Sequence, residues 1–544
     1  MSSHSIAVFA ERAGRPVVMG RRWAIASGHP VASWAGTRIL ERGGSAIDAA
    51  VAIAVALNIV EPHMSGLGGD LFALVVDTRT GEVWAIDGTG LVPLEATPDR
   101  LHHGVPPDGP LSVAVPGAAR AWELLHARWG RLPLHELLAP AIELAADGFP
   151  VSQNLAAYLA AHRDRLSRYE ATARTFLPQG RLPQPGDVLR QPTLARTLET
   201  LATTGFSALY QGQLAERLVR AVRQAGGLLS TESLARARAE LVQPLQHSYR
   251  GWTVWTPPLN SGGHALLLAL GILEHFSVTE WKPLSADLLH VMIEATKLAD
   301  AACQRWAAGT HLAASALVEL FDPVRVRELA QAIDLRRAKP HHASGAREPA
   351  ATTAFTVVDR DGLGIVVTAT LHEVFGSGFV AGDTGLLLNN ALAARTLDPQ
   401  ALERLEAGAP VRQTSIPIVV RSKERLIALG SSGGSAQPQI LVHVLVHLLE
   451  FGFSPQEAVE LPRWRYRTTG RAAQWPAETG GLVDVEGRLP NVTIEGLQAR
   501  RHRVQRLPRW GPIGSCQLVV RRDDGGVVLE AAADPRSDAY ALAR

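Results

Sequence analysis

Thr352 and Thr353 open the run Ala351-Thr352-Thr353-Ala354-Phe355-Thr356-Val357-Val358-Asp359. A threonine at the start of a strand has no base of its own. Cutting the chain just before Thr352 would supply one: a new α-amine, with an ordinary pKa of about 8, beside its own hydroxyl. Thr370 follows on the returning strand and could hold that hydroxyl, although β-propensity alone would also place threonines in such a hairpin. Gly430-Ser431-Ser432-Gly433-Gly434 satisfies G-x-S-x-G. It reads either as a nucleophile elbow at Ser432, with Asp484 and His502 downstream as partners, or as a glycine turn whose N–H groups face a helix mouth that welcomes anions. His443 and His447 stand four apart on a helix, but Val444 occupies the place of a metalloprotease glutamate, and the pair reads as packing rather than a metal site.

These residues need elements to hold them. Residues 23–60 read as a strand and then an Ala-rich buried helix from about Ser45 to Val60, followed by the glycine-rich loop Ser65–Asp70. Leu71–Asp77 and Val83–Asp87 form a predicted hairpin, and residues 117–330 are expected to be mostly helical. The polar, turn-rich segment 336–350 reads as an exposed linker, the kind of place where a chain is cut. Beyond it, Phe355–Asp359 and Ile365–Leu371 pair around Asp361-Gly362. Leu386–Leu388, Ile416–Val420 and Leu426–Leu429 read as further strands, with a helix from about Pro438 to Glu450. Gln517–Arg521 and Val527–Leu529 close as a last hairpin. Strands followed by a helical layer imply an α+β fold.

The 544 residues are 46% hydrophobic and carry a net charge of +2, from 54 Lys+Arg against 52 Asp+Glu. A nearly neutral chain with scattered arginines has no global field for nucleic acid or an anionic membrane. Two cysteines, Cys303 and Cys516, exclude a disulfide framework and a thiolate cluster. The first thirty residues hold no continuous apolar run, so no signal peptide is expected, and the cytoplasm is the simplest location.

Taken together, the motifs resemble the γ-glutamyltransferase (glutathione hydrolase) family of N-terminal-nucleophile hydrolases. In family order they include Gly43-Gly44-Ser45-Ala46-Ile47-Asp48, Glu61-Pro62-His63 before Gly66-Leu67-Gly68-Gly69, Ser112-Val113-Ala114-Val115-Pro116-Gly117, Thr352-Thr353, Leu387-Leu388-Asn389-Asn390, Gly433-Gly434-Ser435 and Asp534-Pro535-Arg536. The resemblance is nearest to the branch without signal peptides. It implies a four-layer αββα sandwich made as one precursor that cuts itself between Ala351 and Thr352. The products would be interwoven chains, residues 1–351 and 352–544, forming a heterodimer. Thr352 would be the nucleophile, Thr370 its orienting partner, and the Gly433 and Gly434 amides the oxyanion hole. No cofactor or metal is implied.

The pattern departs where the family grips a γ-glutamyl group. The arginine for the α-carboxylate is replaced by Thr89 or Leu91. The Asn, Gln and Asp that hold the α-ammonium become His372, Ala391 and Ala394, and the serine pair becomes Thr414-Ser415. The expectation is a small non-glutamyl acyl substrate carrying a carboxylate, seated by His372 and Arg395, with water or an amine as acceptor. The alternatives are cleavage of a C–C bond next to a carbonyl, an uncleaved binding protein, or the Ser432 hydrolase.

Overall fold

The computed structural model describes residues 14–310, 317–339, 350–467 and 481–544. The expected linker at 336–350 falls mostly outside these residues.

Two seven-stranded sheets form the centre. The first runs, edge to edge, Tyr540–Ala543, Ala24–Ser27, Ala350–Val358, Leu363–Glu373, Asp70–Asp77, Val83–Gly88 and Glu240–Val242. The second runs Val18–Gly20, Val528–Ala533, Cys516–Arg522, Arg425–Ser431, Ile418–Arg421, Trp252–Thr256 and Leu245–Tyr249. Every neighbouring pair in both sheets is antiparallel.

Alternation along each strand sends one set of side chains between the sheets and the other toward helices. Leu74, Val76, Val366, Val419 and Ala428 pack between the sheets, as do Ala24, Ala26, Val358, Val519 and Ala531. On the outer face of the first sheet, Ile25, Ala73, Phe355 and Val367 pack beneath helices that include Pro30–Glu41, Ala46–Val60 and Ala118–Trp129. On the outer face of the second, Val254, Ile418 and Leu518 pack beneath Gly263–Leu273, Ala286–Thr310 and Gln437–Leu449. The result is the expected four layers, αββα.

The buried helix Ala46–Val60 begins as its sequence dictates. Ser45 Oγ accepts from Asp48 N, and Asp48 returns a carboxylate to Ser45 N, a reciprocal capping box. Two readings are corrected. Leu386–Leu388 is not a strand; it makes only isolated bridges to Gly68 and Val380, because two glycine-rich loops carry the chain across the sheet end. Residues 240–256 are strands rather than helix, and they supply the outer edges of both sheets. Their alternation is short and interrupted by Pro244 and Gly251, which hides it in a helical stretch.

Candidate active site

Thr352 lies near the start of a central strand of the first sheet and is 2% exposed. Its cross-strand partner is Thr370. The register slips between Ala351 and Thr352: Ala351 faces His372 and Thr352 faces Thr370, leaving Leu371 as an extra residue. Leu371 leaves the ladder, donating its N–H to Met64 O and accepting from Asn390 N. His372 completes the distortion with φ +77°. The bulge frees the Ala351 carbonyl from regular pairing, and the Thr370 hydroxyl donates to it. Thr370 Oγ1 also accepts from His372 N at 2.8 Å. The single proton of Thr370 therefore goes to the carbonyl before Thr352 and not to the Thr352 hydroxyl.

Because Thr352 pairs with Thr370 across the strands, both side chains face the second sheet. There the strand Arg425–Ser431 crowds in: a Cβ at Gly430 would come within 3.1 Å of Ala354 Cβ and 3.2 Å of Thr368 Cγ2. That strand delivers Gly433, at φ +121°, and Gly434, at φ +55°, conformations that only glycine adopts without strain. The short turn Gly434–Ala436 packs on the Thr352 strand and leads into the helix Gln437–Leu449. Among the described residues neither the Gly433 N–H nor the Gly434 N–H meets an acceptor. Two amides without an acceptor thus lie on the turn that packs on the Thr352 strand, where the sequence expects an oxyanion hole.

Ser432 is not placed as an elbow. Its Oγ accepts from Ser515 N at 2.8 Å and its own N–H donates to Ser515 O, so it braces two loops. Asp484 accepts from Arg465 and Arg467, and His502 meets His290 at 2.7 Å, so no triad assembles around it. His443 and His447 are buried with ring centroids 4.5 Å apart inside the helix packing.

The residues expected to read the acyl group divide. Thr89 is buried and hydrogen-bonded to Asp87 Oδ1, and Asn260 Nδ2 bridges Asp87 and Thr89. Burial raises the Asp87 pKa above the usual carboxylate range. His372 is not a spare group: its Nε2 meets Asp70 Oδ2 at 2.9 Å, and Gly117 N donates to the other Asp70 oxygen at 3.0 Å. Arg395 is not a surface residue. It is 8% exposed, with Nη2 on Pro410 O at 2.7 Å and Nη1 3.4 Å from Glu403. A guanidinium taken that far from water needs such partners. Thr414 is exposed and Ser415 buried, while Ala391 is buried and Ala394 exposed.

The structure gives several motif residues contacts that their spacing does not predict. Glu61 caps the buried helix and accepts from Thr353 Oγ1 at 2.8 Å, on the opposite face of the sheet from Thr352. Burial pushes its pKa up to about 8, against the lowering effect of the Thr353 bond. Asp534 and Arg536, part of a recognised motif, belong to a buried ionic network: Asp534 meets Arg463 at 2.5 Å and Arg536 at 3.0 Å, and Arg536 meets Glu486 at 2.6 Å. Near Asp87 and Thr89, Gln413 donates its N–H to Asn260 O at 3.0 Å, and nothing in the spacing of these residues marks them.

Two stacked antiparallel sheets between helical layers, with a glycine turn packed on the strand that carries Thr352, are the fold of the N-terminal-nucleophile hydrolases. Residues 32–543 match the gamma-glutamyltranspeptidase family model, and the chain belongs to that family. It is 33% identical to the glutathione hydrolase-like YwrD proenzyme of Bacillus subtilis (strain 168), over 96% of this chain and 99% of that protein. It is 34% identical to the oxamate amidohydrolase proenzyme of Klebsiella pneumoniae subsp. pneumoniae, over 94% of this chain and 97% of that one. The fold superposes on the cephalosporin acylase from Bacillus halodurans with a TM-score of 0.88 at 32% identity, covering 97% of each chain. The protein is an amidohydrolase or acyltransferase of this class.

Proposed function

We propose that the chain cuts itself between Ala351 and Thr352 and then hydrolyses amides of a small acyl group that carries a carboxylate but no α-amine. The observation that supports the cut is the bulge at that bond, with the Thr370 hydroxyl on the Ala351 carbonyl. Thr352 Oγ1 attacks the Ala351 carbonyl carbon, the C–N bond breaks, and the hydroxyl proton passes to the departing nitrogen. Water then cleaves the resulting ester, leaving the Ala351 carboxylate and a free amine on Thr352. Residues 1–351 and 352–544 remain one two-chain body. Once the Ala351 carbonyl has gone, the Thr370 hydroxyl is released to orient Thr352 Oγ1, which attacks the substrate carbonyl while the Gly433 and Gly434 amides receive the oxyanion.

The acyl preference rests on what stands at the ammonium-reading positions. Ala391 and Ala394 are methyl groups, and His372 is held by Asp70, so an α-ammonium in the cleft would lose several kcal/mol of pairing. The relatives named for oxamate amidohydrolase and acylase activity point the same way. Purified protein should show an N-terminus at Thr352 on Edman sequencing. It should also cleave glutaryl-p-nitroanilide far faster than γ-glutamyl-p-nitroanilide. An intact single chain, or the reverse preference, overturns the reading.

A further inference from the structure

Thr352, Thr370 and Asp70 stand directly opposite one another on three neighbouring strands of the first sheet. Cross-strand partners share a face, so the three side chains project into the same gap between the sheets, with strands about 5 Å apart. His372 joins them from the bulge. Its backbone N–H donates to Thr370 Oγ1 at 2.8 Å, and its imidazole Nε2 meets Asp70 Oδ2 at 2.9 Å. The ring therefore lies on the Thr352 face of the sheet, beside Thr370. Its φ of +77° is rare for a residue with a Cβ and is kept only where the surroundings enforce it.

Asp70 fixes the tautomer of that ring. It is fully buried, and its Oδ1 accepts the Gly117 N–H at 3.0 Å, where the helix Ala118–Trp129 begins. Oδ2 is left to accept from the imidazole. A carboxylate oxygen can only accept, so the ring proton sits on Nε2 and Nδ1 carries the lone pair. Among the described residues Nδ1 meets no hydrogen-bond partner, and the side chain is 14% exposed, so water reaches it. Across the strands His372 faces Ala351, on the carbonyl side of the bond before Thr352. A water-facing lone pair, oriented by a buried carboxylate next to the strand of a hydroxyl nucleophile, is the arrangement of a general base.

We propose that His372 is the general base for the water that hydrolyses the Thr352 ester, with Asp70 as its positioning residue. This rests on Thr352 forming an acyl-enzyme and assigns the step that follows. The α-amine of Thr352 serves its own Oγ1, whereas the ester needs a base for water. Nδ1 takes a proton from water, the water oxygen bonds to the acyl carbon, the C–Oγ1 bond breaks, and the imidazolium returns its proton to Thr352 Oγ1. The acid departs with both side chains restored.

The test compares wild type with His372→Asn and Asp70→Asn. It uses whichever of glutaryl- and γ-glutamyl-p-nitroanilide the wild type cleaves faster, so the acyl preference does not enter. The same water step completes maturation, so a variant that stays whole is first treated with hydroxylamine, which opens an ester without a base. Both variants should release p-nitroaniline in a burst and then slow: kcat down about ten- to a hundredfold, KM down in parallel, and kcat/KM within about threefold of wild type. Mass spectrometry should find the acyl group on the fragment that begins at Thr352, and hydroxylamine should restore turnover. A merely structural role would lower kcat/KM instead. Variants that show no burst, that lose kcat/KM without rescue, or that stay whole in hydroxylamine overturn the proposal. An acyl group that never appears on Thr352 in any of the three proteins overturns the acyl-enzyme reading and this role with it. One that appears but clears at the wild-type rate in both variants removes His372 alone.

Discussion

The hydroxyl of Thr370 donates to the carbonyl of Ala351, the residue immediately before Thr352. One side chain thus polarises the bond expected to break, in a strand whose register has already slipped at that bond. Removing it should therefore slow maturation more than it harms folding. Thr370→Val keeps shape and burial, and the conversion of the 58.3 kDa chain into two bands should slow about a hundredfold. Cleavage at the wild-type rate would separate Thr370 from the step.

Thr352→Ala should give a single uncut band and no amide hydrolysis. Thr352→Ser keeps a hydroxyl and should cut, more slowly. Full turnover by the alanine variant would remove Thr352 from the chemistry.

The free amides of Gly433 and Gly434 can be tested through backbone strain. Gly434→Ala forces a Cβ onto φ +55° and should turn the donor away from the oxyanion, lowering kcat by about 10²–10³ with a smaller change in KM. An unchanged kcat on glutaryl-p-nitroanilide would show that these N–H groups do not receive charge.

Glu61 makes a prediction about pH. Its carboxyl ordinarily loses its proton near pH 4.5, but in the fold it keeps it up to about pH 8. Between those values the folded chain holds more protons than the unfolded one, so this residue makes stability fall as pH rises, by up to about 5 kcal/mol in all. His63 nearby, with a pKa lowered to about 3 by burial, acts in the opposite sense below pH 6.5. The comparison that isolates Glu61 is wild type against Glu61→Gln, measured as melting temperature from pH 5 to 9. The variant should gain steadily on wild type as pH rises. Parallel curves would place the ionised carboxylate in the fold.

Asp534→Ala should destabilise by about 3–5 kcal/mol, because it strands Arg463 in the core without its counter-charge and leaves Arg536 to Glu486 alone. A denaturant midpoint near that of wild type would contradict the role assigned to this network.

Much of the central fold was legible because its signals were local. The capped alanine-rich helix, the Asp361-Gly362 hairpin and the closing hairpin each carry their own periodicity and turn residues. Thr352, Thr370 and the paired glycines had no such local signal: β-propensity or a serine elbow accounted for them equally well, and only the resemblance across the whole chain singled them out. Residues 240–256 were hidden because short edge strands carry little alternation. The residues expected to seat the acyl group were harder still. Whether Arg395 is spare or committed depends on Glu403 and Pro410 closing over it, and Asp70 captures His372 across 302 residues of sequence.

The strand Ala24–Ser27 is hydrogen-bonded on one side to Tyr540–Ala543 and on the other to Ala350–Val358. A nick at residue 351 therefore leaves a segment of the first fragment clamped between two segments of the second. Neither fragment can diffuse away without tearing a sheet apart. Dilution to nanomolar concentration should not erode activity, and the two pieces should be born, turned over and degraded as a single kinetic unit.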